Sequence, residues 1–329
     1  MQRPLTYSFL ALFALTSFAW AAEDNVAAVR AAFQHLKAEE FAQSRQIAAP
    51  LAEAGDADAQ HLLGYIYENG LGVPRDMARA LAYYSKAANQ GQADSQYALG
   101  DLAFTGDGVK RNLERAAGWY KLAAARSHAG AKAQLGVMHA QGLYFPKDIN
   151  KAIGYFEQAA EAGDADAQYN LGAIYLTGEG KPQDYAKAAG LFEQAALQGH
   201  ALSQFNLALL YDSELLGAPV PEKTARWMRA AADQAMPDAM VAMGLLTHEG
   251  RAGPGEELAA DWFERAAKAG NAQGQFLYAV ALSEGDGRAK DVSGALVWVE
   301  RALANEALSD DIAPGARALQ QRLKAQPSN

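Results

Sequence analysis

The sequence predicts an all-α protein, a right-handed α-solenoid of stacked helix hairpins, and three observations predict it. A Leu-Gly pair returns every 36 residues, once after 35, at Leu63-Gly64, Leu99-Gly100, Leu135-Gly136 and Leu171-Gly172, then as Leu207-Ala208, Met243-Gly244 and Tyr278-Ala279. A bulky column, Tyr83, Trp119, Tyr155, Leu191, Trp227, Trp262 and Trp298, keeps the same period, with alanines following it at Ala123, Ala159, Ala195, Ala231 and Ala266. Half of the 329 residues are apolar and only 11 are proline, a composition suited to short, closely packed helices. A fixed period of this length means stacked units that bury a continuous core between neighbours. An array grows by adding units, so one elongated domain is expected despite the length.

Residues 1–21 precede the array. Arg3 supplies a positive start, Leu5 to Phe18 form a short apolar run, and Ala19-Trp20-Ala21 offers a small-residue cleavage site before Ala22. These features predict a cleavable secretory signal cut between Ala21 and Ala22, the run being shorter than the ~20 residues of a spanning helix. The chain has no cysteine, hence no disulfide and no thiol for a lipid anchor, and no Asn-x-Ser/Thr acceptor. A soluble bacterial protein of the periplasm or the secreted space is expected, not a lipoprotein and without a membrane span after cleavage.

Residues 22–55 read as a divergent hairpin capping the stack, with Phe33, Leu36, Phe41, Ile47 and Leu51 apolar and Ala54-Gly55 matching a repeat end. Seven repeats follow over 56–306, at about 56–91, 92–127, 128–163, 164–199, 200–235, 236–270 and 271–306. In the first, Ala59, Leu63 and Tyr67 lie on one face of a first helix that Gly70 ends. Gly70-Leu71-Gly72-Val73-Pro74 is a turn, because glycine permits a positive φ and proline disfavours helix in the residue before it. Asp76 starts a second helix, with Ala80, Tyr83, Tyr84, Ala87 and Ala88 on its packing face and Gly91 closing it. Residues 307–329 form a capping helix and tail, the helix running from Ser309 to about Lys324 with Leu319 and Leu323 on one face.

The pattern A-x-A-Q-x-x-L-G-x-x-Y-x-x-G-x-G-V, a turn, D-x-x-x-A-x-x-Y and A-A-x-x-G resembles the Sel-1-like repeat, a relative of the tetratricopeptide repeat. Repeats one, two and four carry it most fully, including Gln60, Gln96 and Gln168. Repeat three places Tyr144-Phe145 in its turn, and repeat five has Ala208 and Glu214 where glycines are expected. The resemblance implies a scaffold or assembly role, often in envelope maintenance, signalling or contact with a host.

The net charge of −9, or −10 without Arg3, and the absence of a basic run interleaved with aromatics exclude nucleic acid and anionic membrane as expected partners. Gly-x-Gly turns lie between two helices, not after a strand, and so are turn punctuation rather than phosphate loops. Gly55-Asp56-Ala57-Asp58 and Gly163-Asp164-Ala165-Asp166 open like calcium loops but lack the later glycine and glutamate, which leaves helix capping. His35, His61, His128, His139, His200 and His248 are scattered without a zinc motif, so neither metal nor cofactor is expected. His61 and His139 fall in aromatic packing columns. There is neither a serine elbow nor the S-x-x-K of β-lactam-recognising enzymes. His248-Glu249 is the one candidate acid–base pair, and it defines the alternative reading, a hydrolase of β-lactams or cell wall.

First helices are expected to line the concave side. The column before the leucine, Leu62, Ala98, Gln134, Asn170, Asn206, Ala242 and Leu277, and the column after the glycine, beginning Tyr65, Asp101 and Val137, then form the candidate binding strip. Gln134, Asn170, Asn206, Tyr65 and Asp101 are its sharpest members. Two turns with apolar residues, Leu143-Tyr144-Phe145 and Leu215-Leu216-Gly217-Ala218-Pro219, are a second candidate, with Phe145 and Leu215 expected inward and Tyr144 and Leu216 as contact residues. The sequence therefore predicts a non-enzymatic adaptor holding a protein or an envelope component bearing glycan.

Overall fold

The computed structural model describes residues 25–253, 255 and 257–325. The signal segment and the cleavage site at Ala21 and Ala22 lie outside the described residues. Every regular element among the described residues is helical.

The chain divides into two compact units at Ala162/Gly163. The first unit contains α1 (25–37), α2 (Phe41–Glu53), α3 (Ala57–Asn69), α4 (Met77–Asn89), α5 (Ala93–Thr105), α6 (Leu113–Ala124), α7 (Ala129–Gln141) and α8 (Ile149–Glu161). The second contains α9 (Ala165–Thr177), α10 (Tyr185–Leu197), α11 (Ala201–Asp212), α12 (Pro221–Asp233), α13 (Pro237–His248), α14 (Ala259–Lys268), α15 (Ala272–Glu284), α16 (Val292–Ala304) and α17 (Ala313–Lys324). Within each unit consecutive helices pack in pairs, and each pair packs on the next.

The hairpin boundaries follow from capping chemistry. The side chains of Asp56, Gln92, His128, Asp164, His200 and Asn271 each accept the backbone N–H three residues on, starting the first helices. Asp76, Asn112, Asp148, Asp184 and Asp291 do the same for second helices. The pairs that open like calcium loops are therefore capping residues: Asp56 and Asp164 each accept an amide at 2.8 Å. Most first helices end on a glycine at positive φ, Gly70 at 67° and Gly178 at 81° among them, where a side chain would be strained.

The Leu-Gly glycine is explained by close approach. A methyl group built on Gly64, Gly100, Gly136, Gly172 or Gly244 would lie 2.4 to 2.7 Å from the ring of Tyr84, Tyr120, Phe156, Phe192 or Phe263 of the following helix. In the two repeats that carry Ala208 and Ala279, the ring column holds Met228 and Val299 instead. Glycine and ring vary together because the space suits one or the other.

This corrects the sequence reading by one residue. The column buried along the described repeats is Tyr84, Tyr120, Phe156, Phe192, Met228, Phe263 and Val299, while Tyr83, Trp119, Tyr155, Leu191 and Trp298 are half-buried. Only Trp227 and Trp262 of the anticipated bulky column are buried. The alanines placed after that column, Ala123, Ala159, Ala195, Ala231 and Ala266, have no exposed surface. Aromatics one residue apart on a helix diverge by about 100°, so the two columns can be separated only by what each meets.

Two further elements depart from expectation. The last helix starts at Ala313, four residues after Ser309, because Pro314 lacks an N–H and fits only the first turn. In the fifth repeat, α11 ends without a left-handed cap, at Ser213 (φ −87°), and a single 3-10 turn, Glu214–Leu216, leads through Gly217 to the uncapped, proline-started α12.

A glutamine pair joins adjacent hairpins. Gln60 donates to the Ala52 carbonyl of α2 (3.0 Å) and accepts from Gln90 at the end of α4 (2.9 Å). Gln204 donates to the Ala196 carbonyl (3.1 Å) and accepts from Gln234 (2.8 Å), which also donates to the Gly199 carbonyl (2.9 Å). Gln198 donates to Gln168, and Asn305 more loosely to Gln275. Where the first glutamine is replaced, by Lys132 or Met240, the partner thirty or twenty-nine residues on is Ala162 or Ala269. In those repeats both members change, whereas in the second repeat Gln96 keeps its bond to the Ala88 carbonyl (3.0 Å) although Arg126 stands at the partner position, and the buried Gln96 Oε1 has no hydrogen bond.

Candidate functional site

The first-helix columns are only partly available. Tyr65 on α3 is 42% exposed and Leu209 on α11 is 43% exposed. Gln134, Asn170 and Asn206 are half-buried, as are Val137 and Ala173, while Leu62 is fully buried. The Asn170 side-chain amide donates to the Asp166 carbonyl one turn back (2.8 Å). Asp101 is half-buried and accepts the Tyr120 hydroxyl at 2.6 Å, as Glu68 accepts that of Tyr84. Burial and those carboxylates push both phenols well above their usual range. Asp101 thus helps tie the two helices of its own hairpin.

The two unusual turns resolve differently. Tyr144 is 51% exposed, sits at φ 67°, and meets Phe145 edge-on, while Phe145 packs inward, stacked on His139 at 4.5 Å. In the other turn Leu215 is 49% exposed and Leu216 packs against the core, the reverse of the sequence expectation. The 3-10 turn rotates the chain so that the third residue, not the second, faces the helices.

The histidines serve packing and capping. His61 lies against Tyr84 and bonds Ser95 Oγ at 3.0 Å, and burial lowers its pKa. His139 is buried against Phe145 and Tyr155, and burial lowers its pKa too. The sequence reading missed the roles of His128 and His200. Each caps a first helix through Nδ1 and reaches an aspartate of the preceding repeat, Asp94 or Asp166, through Nε2 at 3.3 Å. Their position in the Asp56 and Asp164 column was the available signal.

His248 and Glu249 do not face each other as a pair. His248 Nδ1 faces Asp286 at 3.4 Å, and Glu249 pairs with Arg251 at 2.8 Å. Among the described residues no group of three His, Cys, Asp or Glu side chains could hold a metal ion, and no helix is long and apolar enough to cross a membrane.

Capped hairpins on a fixed period, with their columns consumed by packing, define a helical-repeat protein. The Sel1 repeat model matches at residues 57–92, 93–128, 129–164, 165–200, 201–236, 237–271 and 272–305, and the chain belongs to the Sel1 repeat family. Proteins of this family are generally protein-interaction scaffolds, and their fold is typically non-enzymatic. The chain is similar to a Sel1 repeat protein from Oxalobacter formigenes, at 27% identity and a TM-score of 0.66 over 73% of this chain and 99% of that one. It is also similar to c5321, a protective antigen present in uropathogenic Escherichia coli strains, at 26% identity and a TM-score of 0.55 over 96% of this chain and 83% of that one. No protein of curated function matches the sequence.

Proposed function

We propose that the mature chain begins at Ala22, is exported to the bacterial periplasm or beyond, and binds a protein partner along the concave side through its first helices. The observation that carries the reading is the distribution of side chains over seven matched repeats. The glycine, ring, alanine and glutamine columns are used in packing, whereas the first-helix columns vary from Tyr65 to Asp101 and from Gln134 to Asn206. A surface that varies on a repeated packing frame is what a repeat protein offers a partner. The residues we assign to contact are Tyr65, Asp101, Gln134, Asn170, Asn206 and Tyr144, with Leu216 giving way to Leu215. The secretory pattern of residues 1–21 supports export, as does similarity to a protective antigen.

The test is crosslinking in the envelope followed by pull-down with Asn170→Arg plus Asn206→Arg. A stoichiometric partner lost in that variant and kept in His248→Ala supports the proposal. Turnover of a β-lactam or a muropeptide by the purified chain, abolished by His248→Ala, overturns it.

A further inference from the structure

The first unit contains a groove of about 430 Å³ where α2 of the leading hairpin meets α3 and α4. Arg45, Leu63, Tyr67 and Tyr83 line it, with Gln46 beside them. The Tyr67 and Tyr83 rings lie parallel with centroids 5.9 Å apart. Arg79 sits over the Tyr67 ring at 5.3 Å and Lys86 over the Tyr83 ring at 5.6 Å, while the Glu53 carboxylate also acts on Tyr83, so this wall carries charges of both signs.

Arg45 is out of place for the repeat. Counting from the residue that closes each hairpin, its column holds Leu81, Ala117, Ile153, Ala189 and Ala225 in the next five units. Four of these are buried, and Leu81 packs against its core cluster. In the leading hairpin the same position holds a half-buried arginine, and among the described residues no carboxylate or carbonyl pairs with it. The planar fork of a guanidinium matches a carboxylate. Arg79 is already engaged with Asp76 and the Tyr67 hydroxyl. Arg45 therefore has charge to offer a ligand, next to the half-buried rings of Tyr67 and Tyr83.

We propose that this groove is a second binding site, separate from the first-helix strip, that takes an acidic side chain of a partner polypeptide with an aromatic residue beside it. The carboxylate meets Arg45 and the aromatic ring packs on the half-buried rings of Tyr83 and Tyr67. The volume admits one or two side chains rather than a folded domain. The chain's net charge of −9 disfavours general attraction of acidic peptides, so binding here needs a local cation.

The test uses fluorescence anisotropy with labelled peptides. The probe is acetyl-Gly-Phe-Glu-Phe-Gly-amide; the controls replace Glu by Gln, or move the carboxylate to a free C-terminus. The Arg45→Leu variant is suited to the comparison because leucine fills this column at Leu81, and its melting curve verifies folding. The expected result is saturable binding of the glutamate peptide, weakened tenfold or more by Arg45→Leu and by added salt, and unchanged by Asn170→Arg plus Asn206→Arg. Equal binding of the glutamine peptide, preference for the free C-terminus, unaltered affinity in folded Arg45→Leu, or no binding overturns the proposal. Loss in the Asn170/Asn206 variant alone would instead place the peptide on the first-helix strip and also overturn it.

Discussion

Gly172→Ala is the sharpest probe of how the hairpins close. The added methyl would lie 2.7 Å from Cε1 and 2.9 Å from Cδ1 of Phe192, whereas ordinary contact begins near 3.4 Å. Phe192 has no exposed surface, so its ring has no free side toward which to move. Overpacking of this kind costs about 1–3 kcal/mol, and the gain in helix propensity from glycine to alanine returns about 1 kcal/mol at most. The net expectation is a loss of about 1–2 kcal/mol. The fifth repeat supplies the control, since Ala208 there faces a column holding Met228. Gly172→Ala with Phe192→Met should recover most of the loss, giving a coupling of about 1 kcal/mol in a double-mutant cycle. Urea unfolding followed by both circular dichroism and tryptophan fluorescence measures it, coincident transitions being required because long arrays can unfold in stages. If Gly172→Ala matches or exceeds the parent in stability, the ring does not lie against this helix and the column assignment is wrong.

Gln204→Met should cost about 1–3 kcal/mol by removing two buried hydrogen bonds, to the Ala196 carbonyl and from the Gln234 amide, each of which keeps a second partner in Gly199; adding Gln234→Ala, to copy Met240 and Ala269, should soften that loss in the same urea assay. Trp262→Ala removes a fully buried side chain and should cost about 3–5 kcal/mol, with a near-unchanged midpoint counting against its placement. Ala235 holds φ at 63° where five other hairpins close on glycine, so Ala235→Gly should stabilise by about 1 kcal/mol, read as a rise in melting temperature. The His128 and Gln92 side chains hold Asp94 at about 2, below its ordinary 3.8. A depressed carboxylate stabilises above its unfolded value and loses that contribution as pH falls. The parent should therefore exceed Asp94→Asn in stability above about pH 4, the gap closing toward pH 2. Asp94 is more than half exposed, so the gap is small, and a gap that widens on acidification would refute the assignment.

Much of the hairpin framework was legible in the sequence because it is written in local chemistry. Acidic and amide caps, glycine stops and a period of 36 residues depend on residues within one turn or one repeat. Gln60 and Gln168 were visible as part of the pattern, and so was their spacing from Gln90 and Gln198. Their meaning was not, since a hydrogen bond between residues thirty apart exists only once the second helix has folded back. The ring column was misplaced by one residue for the same reason: Tyr83 and Tyr84 are equivalent in hydropathy and differ only in what each faces. Leu215 and Leu216 exchanged roles through a 3-10 turn that no local rule announced. Arg45 looked like any surface arginine until the apolar column it interrupts was set beside it in space.

The sequence by itself determined that this chain is a helical array on a fixed period and that its charge disfavours nucleic acid, because those properties follow from periodicity and composition. The tertiary structure decided which aromatic is buried, why a glycine must oppose it, and that one arginine faces a groove without a partner. Those depend on approach between helices at a resolution finer than one residue, which a pattern along the chain does not carry.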